Sequence, residues 1–149
     1  MKRIVCTLAL MAAVSCGKAD AGPSKEMSTL GAFEVTAKLT EIRSAFPPNK
    51  LYDYVYVFKY KVLQVYRGAV AGDEIFVGHY NPLKPRSGVQ DKLSGKIGGS
   101  LREFRAGDVH RMALDAPLDE HYMGGIIDKY HKEKGIRYWG IYTDPVEGE

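Results

Sequence analysis

One stretch near the middle of the chain, residues 54–62, has the two-residue periodicity of a strand. The residues of one parity are aromatic or β-branched: Tyr54, Tyr56, Phe58, Tyr60 and Val62. The other parity consists of Val55, Val57, Lys59 and Lys61, and its two lysines can face water. Because successive side chains of a strand point to opposite faces, this pattern predicts a strand with one face in a core. The parity breaks at Leu63 and Val65, which predicts a one-residue bulge near Leu63 and Gln64 of the kind that helps a sheet curl.

A turn and a second strand follow this stretch. Gly68 and Gly72 bound the turn, and Ile75 and Val77 carry the apolar face of the next strand. The two strands are predicted to be antiparallel neighbours at the centre of a small β-barrel.

Three further strands and one short helix are predicted from similar patterns. The strands are residues 33–43, 109–115 and 136–143. In the first of them, an apolar face alternates with a polar face that is expected to meet water; the apolar residues are Phe33, Val35, Ala37 and Leu39, and the polar ones are Glu34, Thr36, Lys38 and Thr40. The helix is placed at residues 126–134, because Asp128 and Lys132 have i,i+4 spacing and Gly135 can end it. Residues 144–149 are expected to form a frayed acidic tail.

Residues 81–108 are predicted to form a long irregular loop, because glycines and prolines interrupt any periodicity. Positive charge is concentrated there: up to residue 111, the segment has seven basic and three acidic residues. Four arginines are candidates for binding carboxylates through paired hydrogen bonds: Arg86, Arg102, Arg105 and Arg111. A solvated surface segment without a ligand is the alternative interpretation.

The first 21 residues have the pattern of an export signal. Lys2 and Arg3 precede an apolar run, residues 4–14, that is too short to span a membrane as a mature helix. Residues 13–16 resemble a lipobox, so we favour a lipoprotein acylated at Cys16. A cut after Ala21 would instead release a soluble secreted protein. Residues 22–32 are then a tether and residues 33–149 a single domain.

Cysteine content and charge narrow the class of protein further. Beyond Cys16 the chain has no cysteine, so the exported domain has no internal disulfide and depends on its core. Removing Lys2 and Arg3 leaves 19 basic residues against 18 acidic ones, which is not the balance of a nucleic-acid-binding protein. We therefore predict no nucleic-acid partner.

Motifs of the common reaction classes are missing from the sequence. Residues 98–102 (GGSLR) lack the final glycine of a nucleophile elbow, and the residues around Lys96 lack the spacing of a phosphate-binding loop. There is no pair of cysteines for zinc and no His-Glu-x-x-His. The sequence predicts no catalytic residue, metal or cofactor.

An enzyme centred on His79, Asp108 and His110 remains an alternative. Both histidines share the parity of the apolar residues in their strands. They could form a paired acid–base or metal site, or they could simply bond to backbone carbonyls at one end of the barrel. We favour the structural interpretation, because two histidines without a third ligand are a weak metal signal.

The chain has ten tyrosines and one tryptophan. Most of the aromatic residues alternate as core residues should. Four lie nearer to strand ends or loops: Tyr80, Tyr122, Tyr138 and Trp139. Aromatic faces can stack on sugar rings, and Tyr80 and Trp139 are the predicted stacking residues.

Two resemblances complete the sequence-based predictions. The stretches YVFKYKVLQVYRG, EIFVGHY and AGDVHRMAL resemble the netrin-like barrels, the group that includes tissue inhibitors of metalloproteinases. This resemblance covers about half of the chain, which lacks the cysteines of those barrels, and it implies the fold without any inhibitory residues. The stretches GHYNPLKPR, AGDVHRMAL and RYWGIYTD resemble small exported bacterial proteins that accompany exopolysaccharide O-acetylation systems.

The expected fold class is mainly β: a small five-stranded OB-like or netrin-like barrel with a long basic loop and one short helix. The functional hypothesis is a non-catalytic, lipid-anchored module of the bacterial cell envelope. It would recognise an anionic or acetylated polysaccharide, or a partner within a glycan-modifying protein complex. A protein-docking or inhibitor module of netrin-like type is the second hypothesis, and the enzyme is the third.

Overall fold

The computed structural model describes residues 29–90 and 96–147 of the chain. Cys16, the predicted signal sequence and most of the predicted tether lie outside the described residues. Within the described ranges, no helix has the length and apolar composition needed to cross a membrane.

Six strands form a mainly β fold. They are β1 (Phe33–Glu41), β2 (Tyr54–Arg67), β3 (Glu74–Tyr80), β4 (Val109–Asp115), β5 (Gly125–Ile127) and β6 (Arg137–Val146). Their order in the sheet is β1-β4-β6-β3-β2-β5, and β1 also pairs with β2. The β1–β2 pairing closes five strands into a barrel, beside which β5 is a short addition along the first residues of β2. The predicted five-stranded barrel of OB-like type is thus confirmed.

The bulge predicted in β2 is present. Gln64 lies opposite Thr36 and Val62 lies opposite Ala37, so Leu63 has no residue opposite it on β1. The extra residue lets β2 bend from its partner β3 towards its other partner β1, as barrel closure requires.

Alternation along the strands separates two buried layers. The layer inside the barrel includes Val35, Ala37, Leu39, Tyr54, Tyr56, Phe58, Tyr60, Ile75, Val77, Met112 and Leu114. The layer outside it, on β2, β3 and β6, includes Val55, Val57, Phe76, Tyr80, Trp139 and Ile141. Val89, Ile97 and residues of the segment 118–130 cover this outer layer, so residues 54–58 of β2 and almost all of β3 are buried on both faces.

The described parts of the predicted basic loop pack against the barrel. Within residues 81–90 and 96–108 there is one 3-10 turn, Arg86–Gly88, and one bridge from Gly98 to Tyr142 of β6. Gly99 has φ 126°, and a Cβ there would overlap the carbonyl oxygen of Thr143 on β6. Glycine therefore lets this segment lie directly against the barrel.

The one short helix lies earlier in the chain than predicted. It is α1 (Leu118–His121), whereas residues 126–134 form part of β5 and a turn. Ile126 pairs with Val55 of β2. Asp128 accepts from the backbone N of Tyr130 at 2.7 Å and pairs with Arg137 at 2.9 Å, instead of supporting a helix through Lys132.

The last strand is longer than predicted. β6 continues to Val146, and Asp144 lies opposite Arg111 of β4. The acidic tail therefore begins later than residue 144, because its first residues complete the β4–β6 ladder.

Candidate functional site

An aromatic cluster lies on the outer face of the barrel. The Tyr122 ring is stacked on the Trp139 indole, with centroids 5.6 Å apart and ring planes inclined by 13°. Tyr80 meets Tyr122 edge-on, with centroids 5.5 Å apart. All three residues are buried. The structure thus brings the two predicted stacking residues to one site and places a third aromatic ring against both.

Leu118 positions the segment that carries Tyr122. A Cβ at Gly78 of β3 would lie 2.7 Å from Leu118 Cδ2 and 2.7 Å from Val55 Cγ1, so glycine leaves the space that Leu118 fills. Beyond this contact, Tyr122 is the one buried residue between positions 119 and 126. Its ring folds back over Gly124, where a Cβ would lie 2.6 Å from Tyr122 Cζ.

The aromatic cluster borders the face where barrels of OB type bind oligosaccharides: Tyr80 ends β3, Tyr122 lies in the loop after β4, and Trp139 belongs to β6, the fifth barrel strand. That face consists of the second and third barrel strands and is flanked by the loops between strands 1 and 2 and between strands 4 and 5. Here the two loops are residues 42–53 and 116–136. Arg43 joins them, donating to the Lys129 carbonyl at 3.2 Å and to Glu133 Oε1 at 3.0 Å.

His79 and His110 meet inside the barrel, as their shared parity suggested. The Tyr60 hydroxyl lies 3.1 Å from Nε2 of His79 and 3.1 Å from Nδ1 of His110. One hydroxyl proton serves both contacts, so Tyr60 donates to one imidazole and accepts from the other. The remaining ring nitrogens have no hydrogen-bond partner among the described residues. The prediction of bonds to backbone carbonyls was wrong, because a tyrosine from β2 takes that role.

Burial keeps this trio neutral. It lowers the pKa of His79 well below the usual range, and the charges of Arg86 and His110 act in the same direction. Burial lowers the pKa of His110 to about 4, although Asp108 partly opposes the shift. Burial also raises the pKa of Tyr60 well above its usual value. The trio is therefore a neutral hydrogen-bonded unit of the core at neutral pH.

The three residues of the predicted catalytic alternative lie in different environments. His79 and His110 are fully buried, while Asp108 is exposed in the turn before β4. Among the described residues no group of three or more His, Cys, Asp or Glu side chains could hold a metal ion.

Arg86 is buried rather than exposed in a basic loop. Its Nη2 donates to the carbonyls of Asn81 at 2.8 Å and Lys84 at 3.1 Å, and its guanidinium lies 4.9 Å from the centroid of Phe104. Burial lowers its pKa to about 10, although Tyr60 partly opposes the shift. Arg86 therefore joins a loop to the core and does not face solvent.

The other predicted arginines do not form one site. Arg111 is bound to the buried carboxylate of Glu34, through Nε at 2.9 Å and Nη2 at 2.7 Å. Its guanidinium also lies 3.4 Å from the centroid of the Tyr66 ring. Arg102 is exposed, and Arg105 is exposed beside Glu103 at 2.7 Å. Only Arg102 and Arg105 thus keep the surface position that the sequence suggested.

Arg67 contributes a second cation to Glu34, which the sequence did not indicate. Its Nη1 lies 3.1 Å from Glu34 Oε2, and its Nε donates to the Gly31 carbonyl at 3.1 Å. Its Nη2 donates to the Leu30 carbonyl. Arg67 therefore fastens the chain ahead of β1 to the end of β2.

Two residues of these sites were missed as functional candidates. Tyr60 was predicted only as a core residue, and Glu34 was predicted to face water. The shared parity of Tyr60, His79 and His110 was the available signal for their meeting. The sequence held no comparable signal for Glu34, because its partners come from other strands.

Comparison with protein-family models, curated proteins and solved structures finds no match to the chain. The fold itself places the chain among closed, five-stranded barrels of OB-like type. Support for the netrin-like resemblance and for the link to exopolysaccharide O-acetylation still comes from the sequence stretches alone.

Proposed function

We propose that this chain is an exported, lipid-anchored and non-catalytic module of the bacterial cell envelope that binds a polysaccharide. The observation that carries the proposal is the aromatic cluster of Tyr80, Tyr122 and Trp139 on the outer face of the barrel. Flat aromatic faces are suitable platforms for sugar rings, and OB-type barrels bind oligosaccharides on the face of their second and third strands, which this cluster borders.

The arrangement of the histidines supports a binding role over catalysis. His79 and His110 are both bonded to Tyr60 within the core, with no exposed surface of their own. A general acid or base must reach the proton that it transfers, and these imidazoles face core side chains such as Phe58 and Phe104.

Charge recognition would rest on fewer residues than the sequence suggested. Arg102 and Arg105 are the predicted arginines that remain exposed, so they are the proposed contacts for uronate or other anionic groups. Export and anchoring rest on the signal pattern and on Cys16. Membership of a glycan-modifying complex rests on the resemblance of three sequence stretches.

A thermal-shift titration of the purified protein tests the proposal. The ligands are uronate-rich, neutral and O-acetylated oligosaccharides, each at low and high salt. A ligand that binds only the folded form raises Tm. We expect a rise with at least one sugar, and its loss in Trp139→Leu but not in Tyr52→Leu, which alters an exposed aromatic residue instead.

The effect of salt on the Tm shift distinguishes charged contacts of the arginines from stacking on the aromatic cluster. A shift that high salt removes, and that Arg102→Gln with Arg105→Gln also removes, assigns charge recognition to these arginines. A salt-independent shift assigns binding to the aromatic cluster alone. If no sugar raises Tm, the polysaccharide proposal is wrong.

A protein-docking role is the second candidate, and one observation favours it. β3 pairs with β2 as far as Lys61, and the backbone N of Val62 still donates to the Asp73 carbonyl at 2.7 Å, so in the described chain residues 63–66 of β2 form a ladder along one side, with β1. Leu63 and Val65 are 52% and 41% exposed there. Exposed apolar side chains beside an unpaired strand edge are suited to strand addition by a protein partner.

A photo-crosslinking residue at position 63, tested in cells, separates this role from sugar binding. Docking predicts one crosslinked partner from position 63 and none from position 50, an exposed loop position. It also predicts that Leu63→Asp abolishes the same product when the crosslinker is moved to position 65. Equal crosslinking from positions 50 and 63 would remove this candidate.

A further inference from the structure

We propose that Tyr122 is a displaceable lid over the sugar-binding face of Trp139, and that a pyranose ring takes the place of the Tyr122 ring on the indole. The inference rests on the proposed polysaccharide-binding function and adds how that site opens. In the closed state the Tyr122 ring covers the site. Trp139 and Tyr80 form the surface on which the sugar lies.

The geometry of the closed state supports an exchange of rings. The Tyr122 ring is nearly parallel to the indole, at 13°, with centroids 5.6 Å apart. A pyranose ring also presents a flat apolar face of C–H groups, and it would lie on the indole in the same orientation. The lid therefore occupies the surface that the sugar needs, and the two cannot bind there together.

The segment that carries Tyr122 has few buried anchors. Positions 119–121 and 123–126 are exposed, and Met123 is 92% exposed although it follows Tyr122 directly. α1 has four residues and β5 has three. Segments with few buried contacts open at a small fraction of the free energy of global unfolding. Opening of this segment exposes the indole without unfolding the barrel.

Both ends of the segment are fixed, which limits the movement to the residues between them. Leu118 is buried against Gly78 and Val55 at one end. Ile126 pairs with Val55 of β2 at the other end. The lid therefore moves as a short loop between two fixed residues, Leu118 and Ile126, which both lie beside Val55 of β2.

A closed lid weakens the apparent affinity for sugar, because only the open fraction of molecules can bind. A stacked aromatic pair contributes about 0.5–1.5 kcal/mol beyond its buried area, which corresponds to a two- to ten-fold change in Kd. A variant whose lid is already open should bind sugar more tightly by this factor.

Gly124→Ala is such a variant, and Gly125→Ala is its matched control. A Cβ at Gly124 would lie 2.6 Å from Tyr122 Cζ, at the far end of a side chain that can rotate away. A Cβ at Gly125 meets nothing within 4 Å. The two changes add the same methyl group to adjacent residues, and only the first displaces the Tyr122 ring.

Trp139 reports the position of the lid directly, because it is the one tryptophan of the chain. We expect Gly124→Ala to red-shift the tryptophan emission and to increase its quenching by acrylamide, while Gly125→Ala matches the wild type. Fluorescence titration with a cello-oligosaccharide and with an O-acetylated oligouronate then gives Kd for each form. We expect a Kd two- to ten-fold lower in Gly124→Ala than in the wild type and in Gly125→Ala, for a sugar that the wild type binds.

The outcomes separate this inference from the function on which it rests. If the wild type binds a sugar and Gly124→Ala exposes Trp139 without tightening the binding, the lid is wrong and the polysaccharide function stands. If Trp139 is exposed and no form binds either sugar, both are wrong. If Gly124→Ala leaves the quenching unchanged, Tyr122→Ser removes the ring outright. Unchanged or weaker binding by Tyr122→Ser would then overturn the lid.

Discussion

The carboxylate of Glu34 is bound by Arg111 through two nitrogens, Nε at 2.9 Å and Nη2 at 2.7 Å, on the outer surface of the barrel. Glu34 belongs to the face of β1 that the alternation assigned to water, yet its side chain is only 4% exposed. Arg67 approaches its other oxygen at 3.1 Å. One acidic residue therefore joins β1 to β2 and to β4, at the seam where the barrel closes.

Glu34→Gln should destabilise the protein, because it removes the negative charge between two neighbouring guanidinium groups. We expect a loss of about 2–3 kcal/mol in the free energy of unfolding, measured with urea. Glu74→Gln is the control, since Glu74 is 59% exposed beside Lys59, and we expect it to cost about 0.5 kcal/mol or less. Equal losses of unfolding free energy in both variants would show that the ion pairs of Glu34 do not stabilise the closure of the barrel at β1.

Tyr60→Phe should destabilise the core by about 1–3 kcal/mol, because it leaves a nitrogen of His79 and a nitrogen of His110 buried without a partner. Tyr66→Phe removes a hydroxyl at the surface, where it contacts Thr36 and Gln64, and should cost less than about 0.5 kcal/mol. Urea denaturation compares the two variants. A neutral Tyr60→Phe would mean that the hydroxyl is not needed to satisfy the histidines.

Acidification should destabilise the protein through His110. Its folded pKa, about 4, lies below the usual value of 6.5, so the unfolded chain binds a proton first as the pH falls. The free energy of unfolding should therefore decline from pH 6.5 to pH 4, by about 3 kcal/mol for this group alone, and be unaffected by His110 above pH 6.5. His79, also shifted downwards, acts in the same direction.

Two substitutions identify the source of this pH dependence. His110→Gln should flatten the decline measured by urea denaturation between pH 6.5 and pH 4. His131→Gln changes an exposed histidine and should leave the slope as it is in the wild type. An unchanged slope in His110→Gln would assign the acid sensitivity to other groups.

Gly99→Ala should be more destabilising than Gly107→Ala. Both glycines have positive φ, 126° and 99°, so both substitutions carry a backbone cost of about 1–2 kcal/mol. A Cβ at Gly99 also overlaps the backbone of Thr143, whereas one at Gly107 meets nothing within 4 Å. We expect Gly99→Ala to cost roughly twice as much in thermal or urea unfolding. Equal costs would contradict the close packing of the segment at residues 97–101 on β6.

The barrel could be predicted from the sequence because strand alternation is a local signal. Val35, Ala37 and Leu39 follow the period of two and are buried as expected. The extra residue at Leu63 also showed in the sequence, as a break in parity. Neither inference required knowledge of which strands would become neighbours.

Residues whose surroundings come from distant parts of the chain could not be predicted in this way. The arginines that bury Glu34 lie 33 and 77 residues away from it. Tyr80 and Trp139 lie near strand ends, where exposure was expected, but Tyr122 covers both. Residues 126–134 have helical spacing, yet pairing with β2 and the contact of Asp128 with Arg137 determine their conformation. Tertiary contacts outweigh weak local preferences in each case.

The double pairing of β1 also bears on how the chain would respond to mechanical force. β1 forms ladders with β2 over residues 34–41 and with β4 over residues 33–38, and Arg67 donates to the carbonyls of Leu30 and Gly31 just before β1. Tension applied ahead of Thr29 therefore acts along β1 and loads two ladders in shear at the same time. The hydrogen bonds must then break together, so the barrel resists pulling from the end of the chain at which the predicted membrane anchor lies.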